Sequence, residues 1–315
     1  MIGTSLLFSG SIGGLISPFD TITPTAGYSL RNLSLSYNGD VVLVRRDSDS
    51  AFQAFKANEI TNGTLSNYLT TLGSSTHSQE VTNDLEPDVS LVCSCDSGSA
   101  GVLEAQDVLY IDGFVFAWYD QFGTNHAVQT SAVSQPKIWD ASTGLVTKNG
   151  KPALDFDGTN CLSTPDYIVQ LSANNATVFA VRSVTSVANG EYLLTEGDVE
   201  SPYSSNFILG SSDGDLVLWV NTTEFGTVTV AKQDLLSFTY DGTDFQAYLN
   251  GTASGSAGSE TVNSEVFNRT AIGASADLST GFFTGKIQEI ITYKSDQSAN
   301  RTDIEDNIND YYDIY

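Results

Sequence analysis

The chain has 315 residues, with 13 Lys and Arg against 38 Asp and Glu and a formal net charge of −25. So acidic a surface repels nucleic acid and anionic membrane, which sets both aside as direct partners, and no apolar run approaches the length of a bilayer span. The length suits one large all-β sandwich, which commonly takes about 200–250 residues, together with a smaller N-terminal unit.

Residues 1–27 are rich in Gly, Ser, Thr and Pro with scattered Leu, Ile and Phe. They read as an extended arm able to dock on another chain, and they carry neither a positive n-region nor an apolar stretch of signal-peptide length. Residues 28–112 read as a small α+β region. In it Leu30, Leu33 and Tyr37 have helical spacing, Asn38-Gly39 marks a turn, Val41 to Val44 a strand, and Leu65 to Leu72 a second helical patch.

From residue 113 to 315 the texture is short strands with turn signals between them. The strands predicted are Phe114–Tyr119, Lys137–Trp139, Ala153–Phe156, Thr177–Arg182, Glu191–Thr195, Asn206–Gly210, Leu216–Val220, Gly226–Ala231, Asp234–Tyr240, Phe245–Leu249, Arg269–Ile272 and Gly285–Tyr293. Asn149-Gly150, Asp157-Gly158, Asp213-Gly214, Asp241-Gly242 and Asn250-Gly251 supply turns in which Gly accepts a positive φ. Many short strands without interleaved helices predict an all-β, two-sheet antiparallel sandwich of the jelly-roll kind. One helix closes the chain: Thr302-x-x-Glu305 can form a capping box, and Ile304, Ile308 and Tyr311 share a face that packs on the sandwich.

Several segments carry a resemblance. Trp118-Tyr-Asp-Gln-Phe-Gly123, Asn125-His-Ala-Val-Gln129, Gln135-Pro-Lys-Ile138 and Gly150-Lys-Pro-Ala-Leu-Asp-Phe-Asp-Gly158 resemble the opening of concanavalin A-like (laminin-G-like) domains. Tyr240 to Gly251 resembles a paired-strand segment of the same domains, and the likeness covers about residues 113–315. The stretch Tyr28–Asp49, with Ser-Leu-Arg and Val-Arg-Arg-Asp-Ser-Asp, is similar to the start of arabinofuranosidase B-type proteins, a pairing also met in proteins of marine bacteria and in phage structural proteins. The cysteine-rich surroundings of the enzymes are missing, so no catalytic residue is carried over. The resemblance implies a sandwich that holds glycans or partner proteins and, in some relatives, calcium at its rim.

The candidate chemistry is sparse. Glu196-Gly-Asp198-Val-Glu200 has the alternation by which glucanases of this fold point carboxylates into one cleft. Gly197 in place of a branched apolar residue, and Ser201-Pro202 directly after, favour a solvated strand end instead. The acidic turn residues Asp213, Asp215, Asp241 and Asp244 could hold Ca²⁺, although hairpins need Asp/Gly turns regardless. Tyr203 and Phe225 are loop aromatics that could stack on sugar rings. Arg45-Arg46 beside Asp47 and Asp49 reads as a structural ion-pair cluster. Cys93, Cys95 and Cys161, with His77 and His126 distant in sequence, form neither a disulfide framework nor a zinc set.

These features lead to the expectation of a non-enzymatic virion protein (a decoration, fibre or tail component). Its sandwich would contact host glycan, its N-terminal arm other virion proteins, and it would form a homo-oligomer, with a trimer favoured. The alternatives are a secreted or cell-surface carbohydrate-binding module and a glycoside hydrolase of arabinofuranosidase or glucanase type. No cofactor is required beyond possible Ca²⁺. Fold alone does not decide among the three.

Overall fold

The computed structural model describes residues 17–70, 111–171, 175–184, 190–198, 201–212, 215–220, 223–229, 233–259 and 269–315; within these the side chains of 198, 201–206, 211–212, 215–220 and 223–229 are left aside. The chain opens with helix α1 (Pro18–Thr21), then β1 (Ala26–Ser29), β2 (Val42–Arg46), β3 (Phe52–Phe55), α2 (Ala57–Thr61) and α3 (Thr64–Thr70). Next come β4 (Gly113–Trp118), β5 (Ala127–Val128), β6 (Lys137–Asp140), β7 (Gly144–Leu145), β8 (Thr147–Lys148), β9 (Lys151–Pro152), β10 (Leu154–Asp157) and β11 (Leu162–Ser163). The second half holds β12 (Ala176–Val184), β13 (Tyr192–Asp198), β14 (Ser201–Ser212), β15 (Asp215–Val220), β16 (Thr223–Thr229), β17 (Asp234–Tyr240), β18 (Asp244–Leu249), β19 (Thr252–Ser259), β20 (Arg269–Ile272), β21 (Thr284–Tyr293) and α4 (Arg301–Tyr312).

Among the described residues the strands form one antiparallel sheet of 19, with β8–β9 as a separate hairpin. From a shared stem, β3–β2–β4, two arms leave. One runs β5–β11–β20–β13–β14–β15–β16, and the other β6–β10–β21–β12–β17–β18–β19. The arms fold face to face, with β16 beside β19 at their free ends. The expected all-β sandwich with a C-terminal helix is therefore the architecture found. Between the layers lies a core that includes Phe156, Phe207, Phe238, Phe245 and Ile287. A second apolar cluster lies outside the β12–β17–β21 layer, where Ile304, Ile308 and Tyr312 of α4 cover Phe179, Val181, Leu235 and Ile291. Covered on both faces, β17 is buried throughout and β12 at every position but Val184.

Residues 26–55 are not set apart from the sandwich. β1 pairs with β21, and β2 pairs with β4. The spacing of Leu30, Leu33 and Tyr37 does not make a helix: Gln121 occupies that segment's backbone, accepting from the Leu33 amide at 2.9 Å and donating to the Ser29 and Arg31 carbonyls. Asp120 completes the clamp by accepting from the amides of Gly27, Phe122 and Asn125. The Trp-Tyr-Asp-Gln motif is thus a staple that fastens β1 to the sandwich. Arg45 and Arg46 pair with Asp47 and Asp49 as expected.

The C-terminal capping box does not form. Asn300 is the N-cap, Thr302 lies inside the helix, and Glu305 accepts instead from Arg301 one turn back. Tyr312, rather than Tyr311, is the buried tyrosine. Its hydroxyl donates to the Gln288 carbonyl or to Glu289, which also receives Arg31 at 2.8 Å.

Candidate functional site

Register separates the two faces of the β11–β20–β13–β14 layer. Residues opposite one another on a ladder share a face. Leu162, Ile272, Leu194 and Leu209 form one such row, and all four belong to the core. The adjacent row runs Ala54, Leu43, Ala117, Val128, Ser163, Ala271, Thr195, Ile208 across β3, β2, β4, β5, β11, β20, β13 and β14. None of these joins either apolar core, so this row marks the outer face.

Glu196 follows the inner row, opposite Thr270 and Phe207. It is 1% exposed, not solvated as expected of a strand end. The segment crossing from β11 to β12 brings its backbone to this carboxylate: the Val169 amide donates at 2.9 Å, the Gln170 amide at 2.6 Å and the Thr270 hydroxyl at 3.0 Å. Burial pushes its pKa up although all three donors oppose the shift. Both oxygens are engaged inside the sandwich, so Glu196 braces the crossing segment and faces no open cleft.

The outer face is organised by the loop from β20 to β21. Gly273 (φ +81) and Gly281 (φ +63) bracket it, and a Cβ would come within 2.6 Å of the Phe156 ring at the first and 2.3 Å of the Tyr192 ring at the second. Between them Ala274 and Ala276 are buried. Arg269, which opposes Gly197 at the far end of β13, reaches back to the Ala276 carbonyl at 3.4 Å. The loop therefore folds over the outer face between β20 and β13. It carries Asp277, whose carboxylate receives the Ser275 hydroxyl, the Ser279 hydroxyl at 2.6 Å and the Ser279 amide at 3.0 Å. Burial alone would raise its pKa, but these donors more than offset it and hold the carboxyl below its ordinary range. Also on this face, Cys161 accepts from Gln129, and burial, the largest cause, pushes the thiol up; the Thr195 hydroxyl is buried with no partner.

Of the residues predicted from sequence, Asp241 and Asp244 are placed at the β17–β18 turn. Asp241 accepts from the Thr243 and Asp244 amides at 2.8 Å each, and these bonds lower its pKa. The turn thus consumes that carboxylate. Among the described residues, no group of three or more His, Cys, Asp or Glu could hold a metal ion. Glu200, Asp213, Cys93, Cys95 and His77, and the side chains of Asp198, Tyr203, Asp215 and Phe225, lie outside the described residues. Sequence reasoning missed Asp277, because Ala-Asp-Leu-Ser-Thr-Gly reads like any other acidic turn in a chain with 38 acids.

No protein-family profile and no curated protein matches the chain. Solved structures do. A GH54 α-L-arabinofuranosidase soaked with a cyclic sulfate inhibitor aligns over 90% of this chain with TM-score 0.59 and 14% identity. An arabinofuranosidase complexed with arabinofuranosyl-alpha-1,2-xylobiose aligns over 90% with TM-score 0.57 and 13% identity. This chain spans 62% of the length of each of those proteins. At such identity the likeness is one of fold: a β-sandwich of the kind found in glycoside hydrolases. Both of these structures, aligned over nine-tenths of the chain, are those of arabinofuranosidases, which runs against the expectation of a non-enzymatic protein and lends no support to a virion role.

Proposed function

We propose that the protein is a glycoside hydrolase acting on neutral, arabinofuranosyl-bearing polysaccharide at the outer face of the β20–β13 region. The observation that carries this reading is Asp277: an ionised carboxylate, fixed by serine donors on a loop whose ends, Gly273 and Gly281, lie against the Phe156 and Tyr192 rings. Most glycosidases use two carboxyl groups flanking the scissile bond, one protonated and one ionised. Donors that hold Asp277 ionised suit it to the nucleophile or base role. Asp198 or Glu200, at and just past the end of β13, supplies the second carboxyl. Arg269 ties that strand end to the Asp277 loop. The fold likeness to arabinofuranosidases supports the choice of sugar.

The test is turnover of 4-nitrophenyl α-L-arabinofuranoside within a panel of chromogenic glycosides. Wild type is expected to release nitrophenol, and Asp277→Asn and Glu200→Gln to lose about 100-fold or more in rate. No turnover of any glycoside, or full activity in Asp277→Asn, overturns the assignment.

A further inference from the structure

The outer row that passes beneath the Asp277 loop continues past it, across β11, β5, β4 and β2 to the edge strand β3. Six strand spacings separate β13 from β3, about 29 Å along the curved sheet. That is far more than one sugar ring requires. At its far end stands an aromatic pair. A bulge between Leu43 and Val44 leaves Phe116 without an opposite partner, which turns it to the same side as Ala117. Its ring meets that of Phe52 edge-on, with centroids 5.2 Å apart. Phe52 is 50% exposed, one of four large apolar side chains so open among the described residues.

Charge selects the occupant. No residue of the row is ionisable, in a chain of net charge −25. At the aromatic end the cations are matched, Arg45 by Asp47 and Lys137 by Asp112 and Asp140, while Arg269 at the other end of the row donates to the Ala276 carbonyl. A charged partner would find no unmatched counter-ion beside the aromatic pair, whereas an uncharged polymer with apolar ring faces finds the exposed ring of Phe52.

We propose that Phe52 and Phe116 form a sugar-stacking subsite that holds the backbone of a neutral polysaccharide, remote from the bond handled at the Asp277 loop. The proposal rests on the glycan-acting reading of that face and extends it from a terminal sugar to a polymer laid across the strands.

Affinity electrophoresis in gels containing arabinoxylan or mixed-linkage β-glucan, with polygalacturonate as the anionic comparison, tests it. Wild type is expected to be retarded by a neutral polymer and not by polygalacturonate. Phe52→Ala and Phe116→Ala are each expected to weaken retardation about fivefold, Phe52→Tyr to restore it, and Leu35→Ala, an exposed apolar residue outside the row, to leave it unchanged. Equal retardation of wild type and both alanine variants, or no retardation of wild type by any neutral polymer, overturns the subsite. So does a wild-type dimer that Phe52→Ala converts to monomer, because the aromatic pair would then be a contact between copies. Turnover of the nitrophenyl glycoside by wild type is read alongside. Its absence, with polymer binding still lost in the variants, removes only the hydrolase reading and leaves the subsite standing.

Discussion

Glu196 and Thr270 face each other across the β13–β20 ladder, and the Thr270 hydroxyl both donates to Glu196 and accepts the Ile168 amide at 3.1 Å. Two side chains from neighbouring strands thereby collect three consecutive backbone amides, those of Ile168, Val169 and Gln170. These would otherwise be buried without acceptors as the chain crosses from one layer to the other. Gln170 takes a φ of +56 to complete the arrangement.

Replacing Glu196 with Gln puts an NH₂ where an acceptor is needed, against an amide N–H that cannot turn away. The expected cost is about 1–3 kcal/mol of stability, with little effect on turnover beyond that. Burial raises the pKa of Glu196, so the native state binds its proton more tightly than the unfolded chain does. Wild-type stability from this group is therefore greatest below the ordinary glutamate pKa of about 4.3 and falls as pH rises above it. The difference between wild type and Glu196→Gln should shrink from about pH 4 to about pH 7 in urea titrations. A difference that grows over this interval would contradict the burial argument.

Arg182 and Asp234 form an ion pair inside the sandwich, 3.5 Å apart and 1% and 0% exposed. Burial pulls the Arg182 pKa down to about 10, with Asp234 and then Glu191 opposing the shift. Removing Asp234 takes away the larger of the two charge interactions that offset the burial of Arg182 in a low-dielectric interior, so Asp234→Ala should cost about 3–5 kcal/mol. The double variant Arg182→Met, Asp234→Leu should recover most of that loss, since packed apolar side chains often match a buried pair. Chemical denaturation of the three proteins decides the matter. Equal losses in the single and double variants would mean that packing, not charge, dominates here.

Asp120 accepts three backbone amides, of which Gly27 belongs to β1 and the others to the turn after β4. Asp120→Ala should cost about 3 kcal/mol and free β1 before the rest of the sheet. Hydrogen exchange at the Tyr28 and Ser29 amides reads this directly. Protection that survives the substitution would show that pairing with β21 holds β1 alone.

How much of this was legible in the chain depended on whether the cause was local. Asn149-Gly150 and Asn250-Gly251 have φ of 47 and 70, and 48 and 76, and each closes a two-residue hairpin as its dipeptide predicts. The strand after the second turn, Thr-Ala-Ser-Gly-Ser-Ala-Gly-Ser in β19, was not predicted because small residues have no strand preference; the turn and pairing with β18 impose it. Glu196 looked like an acid on a strand end. Its donors come from a segment 26 and 27 residues earlier that only the sandwich crossing brings near. The helix periodicity at Leu30, Leu33 and Tyr37 lost to clamps from Asp120 and Gln121, about 90 residues later, which no local pattern reveals. Asp277 was hidden for the opposite reason, since its acidic turn is common and its position over the outer face depends on where Gly273 and Gly281 pin the loop.

The serine donors around Asp277 give a last expectation. Its folded pKa lies below that of an ordinary aspartate because the hydroxyls of Ser275 and Ser279 and the Ser279 amide outweigh the burial that would raise it. The carboxylate therefore stays ionised as pH falls through about 3.9, the value for an unperturbed Asp. If it works in its ionised form, the acid limb of kcat/KM for 4-nitrophenyl α-L-arabinofuranoside lies below that point. Ser279→Ala removes one hydroxyl donor without touching the sheet, and the limb should move up toward the ordinary aspartate value with kcat near neutrality little changed. The same linkage gives stability that is present above the unfolded Asp pKa and lost as pH falls through the folded one, so Ser279→Ala should also lose part of that stability. An acid limb that does not move in Ser279→Ala, while Asp277→Asn is inactive, would assign the observed ionisation to a different group.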